Sequence, residues 1–388
     1  MTRGLAARRI LLVINALGRA GAETQLYHLA EGLSEAGHAV TLLAIAGAER
    51  ETRSLEESGI EVVTLDAGSR PEKLAKTFEI ARYARRADVV HCTGWDATLW
   101  GRIGAIMARR PVVITEHTPG RSLQVKRNGA SRERIIALHN RLLDRGTYAT
   151  IAVGAWQIDL LVGEGVRRES IVHIPNAVPV ATLRQKAQLG PTRETLGIPA
   201  ESFVVIQIAR FFSQKGQMTT LRTVSRLREE QGGDVRAVFV GKGPEEDSIR
   251  REATRIGADW AMFLGGRNDV PGLLRLADLC VLPSTGEGLP MSLIEAVAIG
   301  TPIVATDVGD VRWLVETTGS GICVPPGDDR EFTEACCRLL ADPALRGRLS
   351  AAAARAARDF DAPKMTRGYE QVFDAAVESS PLPLVLTE

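Results

Sequence analysis

The chain has almost no net charge, few cysteines and no long uninterrupted apolar run, and each shortage removes a class of protein. Across 388 residues, 48 lysines and arginines face 47 aspartates and glutamates, a formal net charge of +1. Nothing in that balance calls for a nucleic-acid partner, whose phosphates demand a basic excess. The five cysteines, Cys92, Cys280, Cys323, Cys336 and Cys337, form no Cys-x-x-Cys pair, and their odd count argues against a disulfide framework. That fits a reducing cytoplasm. The least charged stretch, Ala296–Thr306, is broken by Gly300 and Pro302. It falls far short of the roughly 20 apolar residues of a membrane helix. The run Ile10–Ile14 is shorter than the apolar core of a signal peptide and reads as a first strand. The expectation is a cytoplasmic protein whose membrane contact, at most, is peripheral at the inner leaflet. A Gly-x-Gly-x-x-Gly loop is missing too: Gly18 and Gly21 give only Gly-x-x-Gly, so a dinucleotide fingerprint is not supported.

What is present is a β/α rhythm. The length suggests two or three domains. Apolar, partly β-branched runs recur at 10–15, 39–45, 62–65, 89–92, 112–115 and 150–153, and helical stretches such as 71–86 and 98–108 separate most of them. Strands alternating with helices predict a doubly wound parallel sheet. A second series begins at 203–209 and continues through 235–240, 262–264, 279–282 and 303–305. The expected organisation is a first domain over 1–180, a polar linker over 181–199 with Pro191 and Pro199, and a second domain over 200–362. An amphipathic helix over 363–378 crosses back to the first domain, and residues 379–388 form a frayed tail.

The most informative stretch is 283–309. It reads as strand, Gly-containing loop, helix, strand, with Pro290 suited to the first helical turn and Gly300 to a left-handed C-terminal stop. Glu287 and Glu295 stand eight residues apart. On one helix they would be about 12 Å apart along the axis, too far to share a proton. Glu287 is therefore placed in the loop at the strand's carboxyl end and Glu295 inside the helix. Loops at that end of a parallel sheet line the ligand crevice, and the helix N-terminus favours an anion. Two hydroxyl-binding acids beside a phosphate-binding helix describe a nucleotide-sugar site; an isolated Glu-x7-Glu is otherwise two solvated glutamates. Upstream, Arg210 and Lys215 flank a strand end before Gly216 and a helix, where a guanidinium fork and an ammonium can grip a diphosphate. His117 follows the strand at 112–115 directly, at the crevice end.

Pro-Ser-x-x-Glu-Gly-Leu-Pro at 283–290 with Glu295, Arg-x4-Lys-Gly at 210–216 and Pro-Asn-Ala-Val at 175–178 together resemble the retaining group 1 glycosyltransferases of family 4, in the branch that builds bacterial polysaccharides. The resemblance runs from about residue 10 to about 375. It implies the GT-B fold, two Rossmann-like doubly wound parallel-sheet domains with a crevice between them. It implies Glu287 on the transferred sugar, Glu295 on the nucleotide ribose, Arg210 and Lys215 on the diphosphate and His117 near the reacting sugar. Gly21 and Ala22 of the first loop, Gly266 and Arg267, and Gly288, Leu289, Pro290 and Met291 would complete the donor site. It also implies a sugar or lipid-linked saccharide acceptor on the first domain, no metal and no cofactor beyond the nucleotide-sugar donor. Three departures stand out. Thr93 replaces the second histidine of a His-x-His that would start at His91, with Asp96 close by; Ala177 replaces a glycine; and Gly309-Asp310 replaces Gly-Gly. A nucleotide-sugar epimerase of the same fold and a non-catalytic nucleotide-sugar-binding protein are the alternatives. One basic run, Arg121–Arg134, sets Arg121, Lys126, Arg127, Arg132 and Arg134 against Glu133. It is either a solvated face or a contact with an anionic leaflet, where each basic residue is worth about 1 kcal/mol.

Overall fold

A computed structural model describes residues 6–18, 21–47, 53–117 and 141–382. The basic run Arg121–Arg134 and the tail beyond 382 lie outside the described residues. The chain divides into two compact units, one formed by Met1–Ala177 with Ala362–Glu388, the other by Val178–Asp361.

The first unit holds seven parallel strands: β1 (Arg9–Ile14), β2 (Ala39–Ala44), β3 (Glu61–Thr64), β4 (Val89–Thr93), β5 (Val112–Glu116), β6 (Ala149–Ala152) and β7 (Ile171–His173). Their spatial order is β3-β2-β1-β4-β5-β6-β7. Side chains alternate across the sheet, so each strand feeds two cores. Ile10, Leu12, Ile14, Val40, Leu42 and Val113 face one cluster; Leu11, Val13, Leu43, Val90, Cys92 and Ile114 face the other. Burial on both faces is why these strands read as continuous apolar runs. The helix Ala362–Glu378 closes the first of these cores with Met365, Tyr369, Val372 and Phe373.

The second unit holds β8 (Phe203–Ile208), β9 (Val235–Val240), β10 (Ala261–Phe263), β11 (Leu279–Leu282), β12 (Ile303–Thr306) and β13 (Gly321–Val324). All pairings are parallel, in the order β10-β9-β8-β11-β12-β13. The same alternation applies: Val204, Ile206, Cys280 and Leu282 pack on one side, Phe203, Val205, Leu279 and Val281 on the other. The chain leaves β8 toward β9 in one direction, and β11 pairs with β8 on the other side. The loops after β8 and β11 therefore flank a switch point, the place where open α/β sheets bind ligands.

The doubly wound reading of both halves holds. The linker does not: residues 181–199 belong to the second unit, which begins at Val178. A helix over Val180–Gln188 buries Val180, Leu183 and Ala187. Its Arg184 donates to Ala298 O and Ala354 O, both at 2.9 Å. Pro191 and Pro199 marked turns around a short 3-10 segment, Glu194–Leu196, not a flexible connector.

Candidate active site

Two loops of the second unit carry the strongest candidates. After β8 the chain runs through Arg210 and a 3-10 turn, Ser213–Lys215, to Gly216 and the helix Gln217–Gln231. After β11 it runs through Pro283–Pro290 to the helix Met291–Ile299. Thr285 N donates to Gln214 O at 2.8 Å and joins the two loops, while Gln207 Nε2 on β8 donates to Lys215 O at 2.7 Å and tethers the first. Gly216 has φ +69, and a Cβ there would lie 2.2 Å from Pro283 O, so only glycine fits.

Lys215 Nζ meets Glu287 Oε1 and Oε2 at 2.6 and 2.7 Å, and Ser284 Oγ donates to Oε1 at 2.7 Å. Glu287 is 9% exposed and Ser284 fully buried. A carboxylate so enclosed is sustained by its partners, because an unpaired buried charge is costly. The backbone behind it is equally confined. A Cβ on Gly309, φ +59, would lie 2.4 Å from both Glu287 O and Gly288 O, while Asp310 N donates to Gly288 O at 3.0 Å.

Pro290 is the N-cap of the helix Met291–Ile299 and not part of its first turn, one residue earlier than expected. Gly300 ends that helix in the left-handed region at φ +88 and donates to Ala296 O at 2.9 Å. Leu293, Ile294, Ala296, Val297 and Ala298 are buried. The helix N-terminus beside Gly288 and Leu289 leaves first-turn amides for an anion. Glu295 is half-buried, and burial raises its carboxyl to about 7.

Arg210 is exposed, with its guanidinium 4.9 Å from the centroid of the Phe212 ring and its carbonyl accepting from Gln217 Nε2 at 2.9 Å. It makes no ion pair among the described residues. Gly266 and Arg267 follow β10. Gly241 N donates to Gly265 O at 2.8 Å, and the Lys242 side chain lies over Gly265 and Gly266. Arg267 pairs with Asp269, Nε to Oδ1 2.8 Å.

In the first unit, Gly21 and Ala22 open the helix Gly21–Glu35. His117 follows β5; enclosure by protein lowers its imidazole to about 4, against the opposing effect of a hydrogen bond with the Asn176 side chain. That bond joins the candidate His117 to a residue 59 positions away, Asn176 of the Pro-Asn-Ala-Val motif. His91 belongs to the core. Its Nε2 is 2.8 Å from Thr115 Oγ1, its ring packs edge-on to Tyr369, and Tyr369 OH reaches Thr115 Oγ1 at 3.0 Å. Asp96 pairs with Lys73 Nζ at 2.8 Å. A cavity of about 800 Å³ lies at the amino ends of β5 to β7, lined by Arg110, Tyr148 and Ser170, and takes in none of the expected site residues. Ser284, Gln207 and Asn176 were not anticipated as site residues. The Pro-Ser and Pro-Asn dipeptides were the only sequence signals for two of them.

Two Rossmann-like units, the second with a base and an acid paired at its switch point, define a doubly wound α/β protein with a ligand site at the carboxyl ends of β8 and β11. The Glycosyl transferase 4-like domain family matches residues 20–177, and the Glycosyl transferases group 1 family matches residues 202–342. The chain belongs to the group 1 glycosyltransferases. A D-inositol 3-phosphate glycosyltransferase from Salinispora arenicola is 29% identical over 324 residues, 77% of this chain and 71% of the relative. A phosphatidyl-myo-inositol mannosyltransferase from Mycobacterium leprae is 28% identical over 367 residues, 91% and 93% of the two chains. Among solved structures, Anabaena HepE in complex with UDP superposes with TM-score 0.81 at 23% identity, covering 95% of this chain and 100% of that one. WaaG, a glycosyltransferase involved in lipopolysaccharide biosynthesis, gives TM-score 0.72 at 17% identity, covering 94% and 99%. These structural likenesses speak for the GT-B fold. Among the described residues no helix is long and apolar enough to cross a membrane, and no group of three or more acids, histidines or cysteines is placed to hold a metal ion.

Proposed function

We propose that the protein moves a sugar from a nucleotide-diphosphate sugar to an acceptor hydroxyl, with retention of anomeric configuration and no divalent metal. The observation that carries this reading is the Lys215–Glu287 contact at the carboxyl ends of β8 and β11, with Arg210 on the same loop making no ion pair among the described residues. Glu287 would hold the transferred sugar and Glu295 the ribose. Arg210, Lys215 and the amides at the start of the helix Met291–Ile299 would stabilise charge growing on the leaving diphosphate, the electrostatic work a divalent ion does in other transferases. Gly266, Arg267 and the segment Gly288–Met291 would line the rest of the donor site.

The acceptor proposed is a lipid-linked saccharide at the cytoplasmic leaflet, in the assembly of a cell-surface polysaccharide. The relatives support a phosphate-bearing acceptor: one is a D-inositol 3-phosphate glycosyltransferase, the other a phosphatidyl-myo-inositol mannosyltransferase. UDP bound to the Anabaena neighbour supports a nucleotide donor. Incubation of purified protein with UDP-, GDP- and ADP-sugars, with and without an acceptor alcohol and with EDTA, tests the reading. Transfer with retained configuration that survives EDTA is expected. Epimerised sugar without acceptor would make the protein an epimerase, binding without turnover a non-catalytic module, and loss of activity restored by manganese a metal enzyme.

A further inference from the structure

Glu287 is held by two partners of different kinds. One is the Lys215 ammonium, at the end of a flexible four-carbon stem, which contacts both carboxylate oxygens. The other is the Ser284 hydroxyl, neutral, fully buried and mounted on a confined turn whose carbonyl accepts from Thr306 Oγ1. The backbone of Lys215 is tethered through Gln207, and Gly216 is pressed against Pro283, so only the lysine stem is free to turn. On the donor-site reading, which this inference presupposes, the same ammonium must serve the diphosphate.

We propose that the diphosphate and Glu287 compete for Lys215, and that Ser284 is the positioning residue that keeps the Glu287 carboxylate aimed at the sugar when Lys215 turns to the phosphates. The physical basis is the difference between the two partners. A mobile point charge is drawn off by a doubly charged neighbour, whereas a buried hydroxyl on rigid backbone is not. Because a coupling free energy is reciprocal, the carboxylate weakens diphosphate binding as much as the diphosphate weakens the ion pair. Removing the carboxylate's charge leaves Lys215 enclosed without a counter-ion, a state that favours any incoming anion.

Calorimetric titration of the full chain with UDP, GDP and ADP, and with the matching nucleosides, tests the competition. Glu287→Gln should bind the preferred diphosphate about fivefold or more tightly than the parent, with nucleoside affinity unchanged. Equal or weaker diphosphate binding by Glu287→Gln would overturn the competition. Ser284→Ala should keep diphosphate affinity and KM within about twofold while kcat falls about tenfold, the factor a lost charge-assisted hydrogen bond sets. Ser284→Thr, which restores the hydroxyl, should recover kcat. In the Glu287→Gln background, Ser284→Ala should cost nothing more, since the serine acts through that carboxylate. An equal loss in both backgrounds, normalised to the folded fraction read by circular dichroism, would overturn the positioning role. Failure of the parent to bind any of the three diphosphates would instead remove the donor-site reading, and this proposal with it.

Discussion

Gly216 and Pro283 approach so closely that a Cβ on the glycine would lie 2.2 Å from the proline carbonyl oxygen, in a backbone already at φ +69. This contact sets the spacing of the two loops that present Lys215 and Glu287. Gly216→Ala should therefore displace one loop and cost stability on the order of 1–2 kcal/mol from the left-handed backbone alone. Diphosphate affinity should fall further than the melting temperature suggests. Thermal melting and titration with a nucleoside diphosphate, run on the same preparation, check both.

Arg210 has no ion-pair partner among the described residues and stacks on Phe212. Arg210→Ala should lose a charge-assisted contact worth about 1.5–3 kcal/mol to a diphosphate. The free nucleoside should bind as before. An equal loss for nucleoside and diphosphate would mean the guanidinium does not face the phosphates.

Glu295 carries a carboxyl raised from 4.5 to about 7 by burial. A raised acid stabilises the fold below its unfolded value, and that contribution is lost as pH rises through the folded value. Glu295→Gln should thus melt like the parent near pH 4.5 and above it at pH 8. Its effect on binding runs the other way. An ionised carboxylate accepts ribose hydroxyls best, so parental nucleotide affinity should rise between about pH 6 and pH 8, and the variant should show no such rise. Melting and binding curves across that range would separate the two effects.

His117 is lowered from 6.5 to about 4 by its enclosure, so it is neutral through the physiological range. For a depressed base, stability is lost as pH falls from the unfolded value toward the folded one, and His117→Gln should relieve that loss near pH 5. The C2 proton of His117 should show no titration between pH 5 and pH 8 by NMR. Asn176→Ala should lower its pKa further, because the amide favours the charged ring. A titration near pH 6.5 would place His117 in water.

Periodicity and punctuation disclosed the architecture because the physics behind them is local. Strands buried on both faces must be apolar throughout, which made β1, β8 and β11 readable, and Gly300 announced a helix end. Strand β13 escaped because it opens on Gly321, whose Cβ would meet Ile303 O at 2.0 Å, and three of its four residues are only half-buried. The stretch 181–199 looked like a linker because it is polar and holds Pro191 and Pro199, and its two arginines, Arg184 and Arg193, suggested a solvated segment. Those arginines are structural: Arg193 donates to Leu276 O and Asp278 Oδ2. For the site, residue types and spacing singled out Arg210, Lys215, Glu287 and Glu295. They could not disclose that Lys215 and Glu287 touch, or that Asn176 reaches His117, since both contacts depend on loops brought together by the sheet order. His91 matched a motif position yet serves the core, because alternation along β4 turns it toward Tyr369.

The helix Ala362–Glu378 supplies Met365, Tyr369, Val372, Phe373 and Ala376 to a core whose other buried members all precede residue 178. The order of synthesis therefore does not match the order of completion. The first unit must wait, with Leu12, Leu29 and Ile151 incompletely covered, until the whole second unit has left the ribosome. The second unit is contiguous and can close as soon as Asp361 emerges. A released chain truncated after residue 361 should be protease-resistant in its later half and still vulnerable in its earlier one.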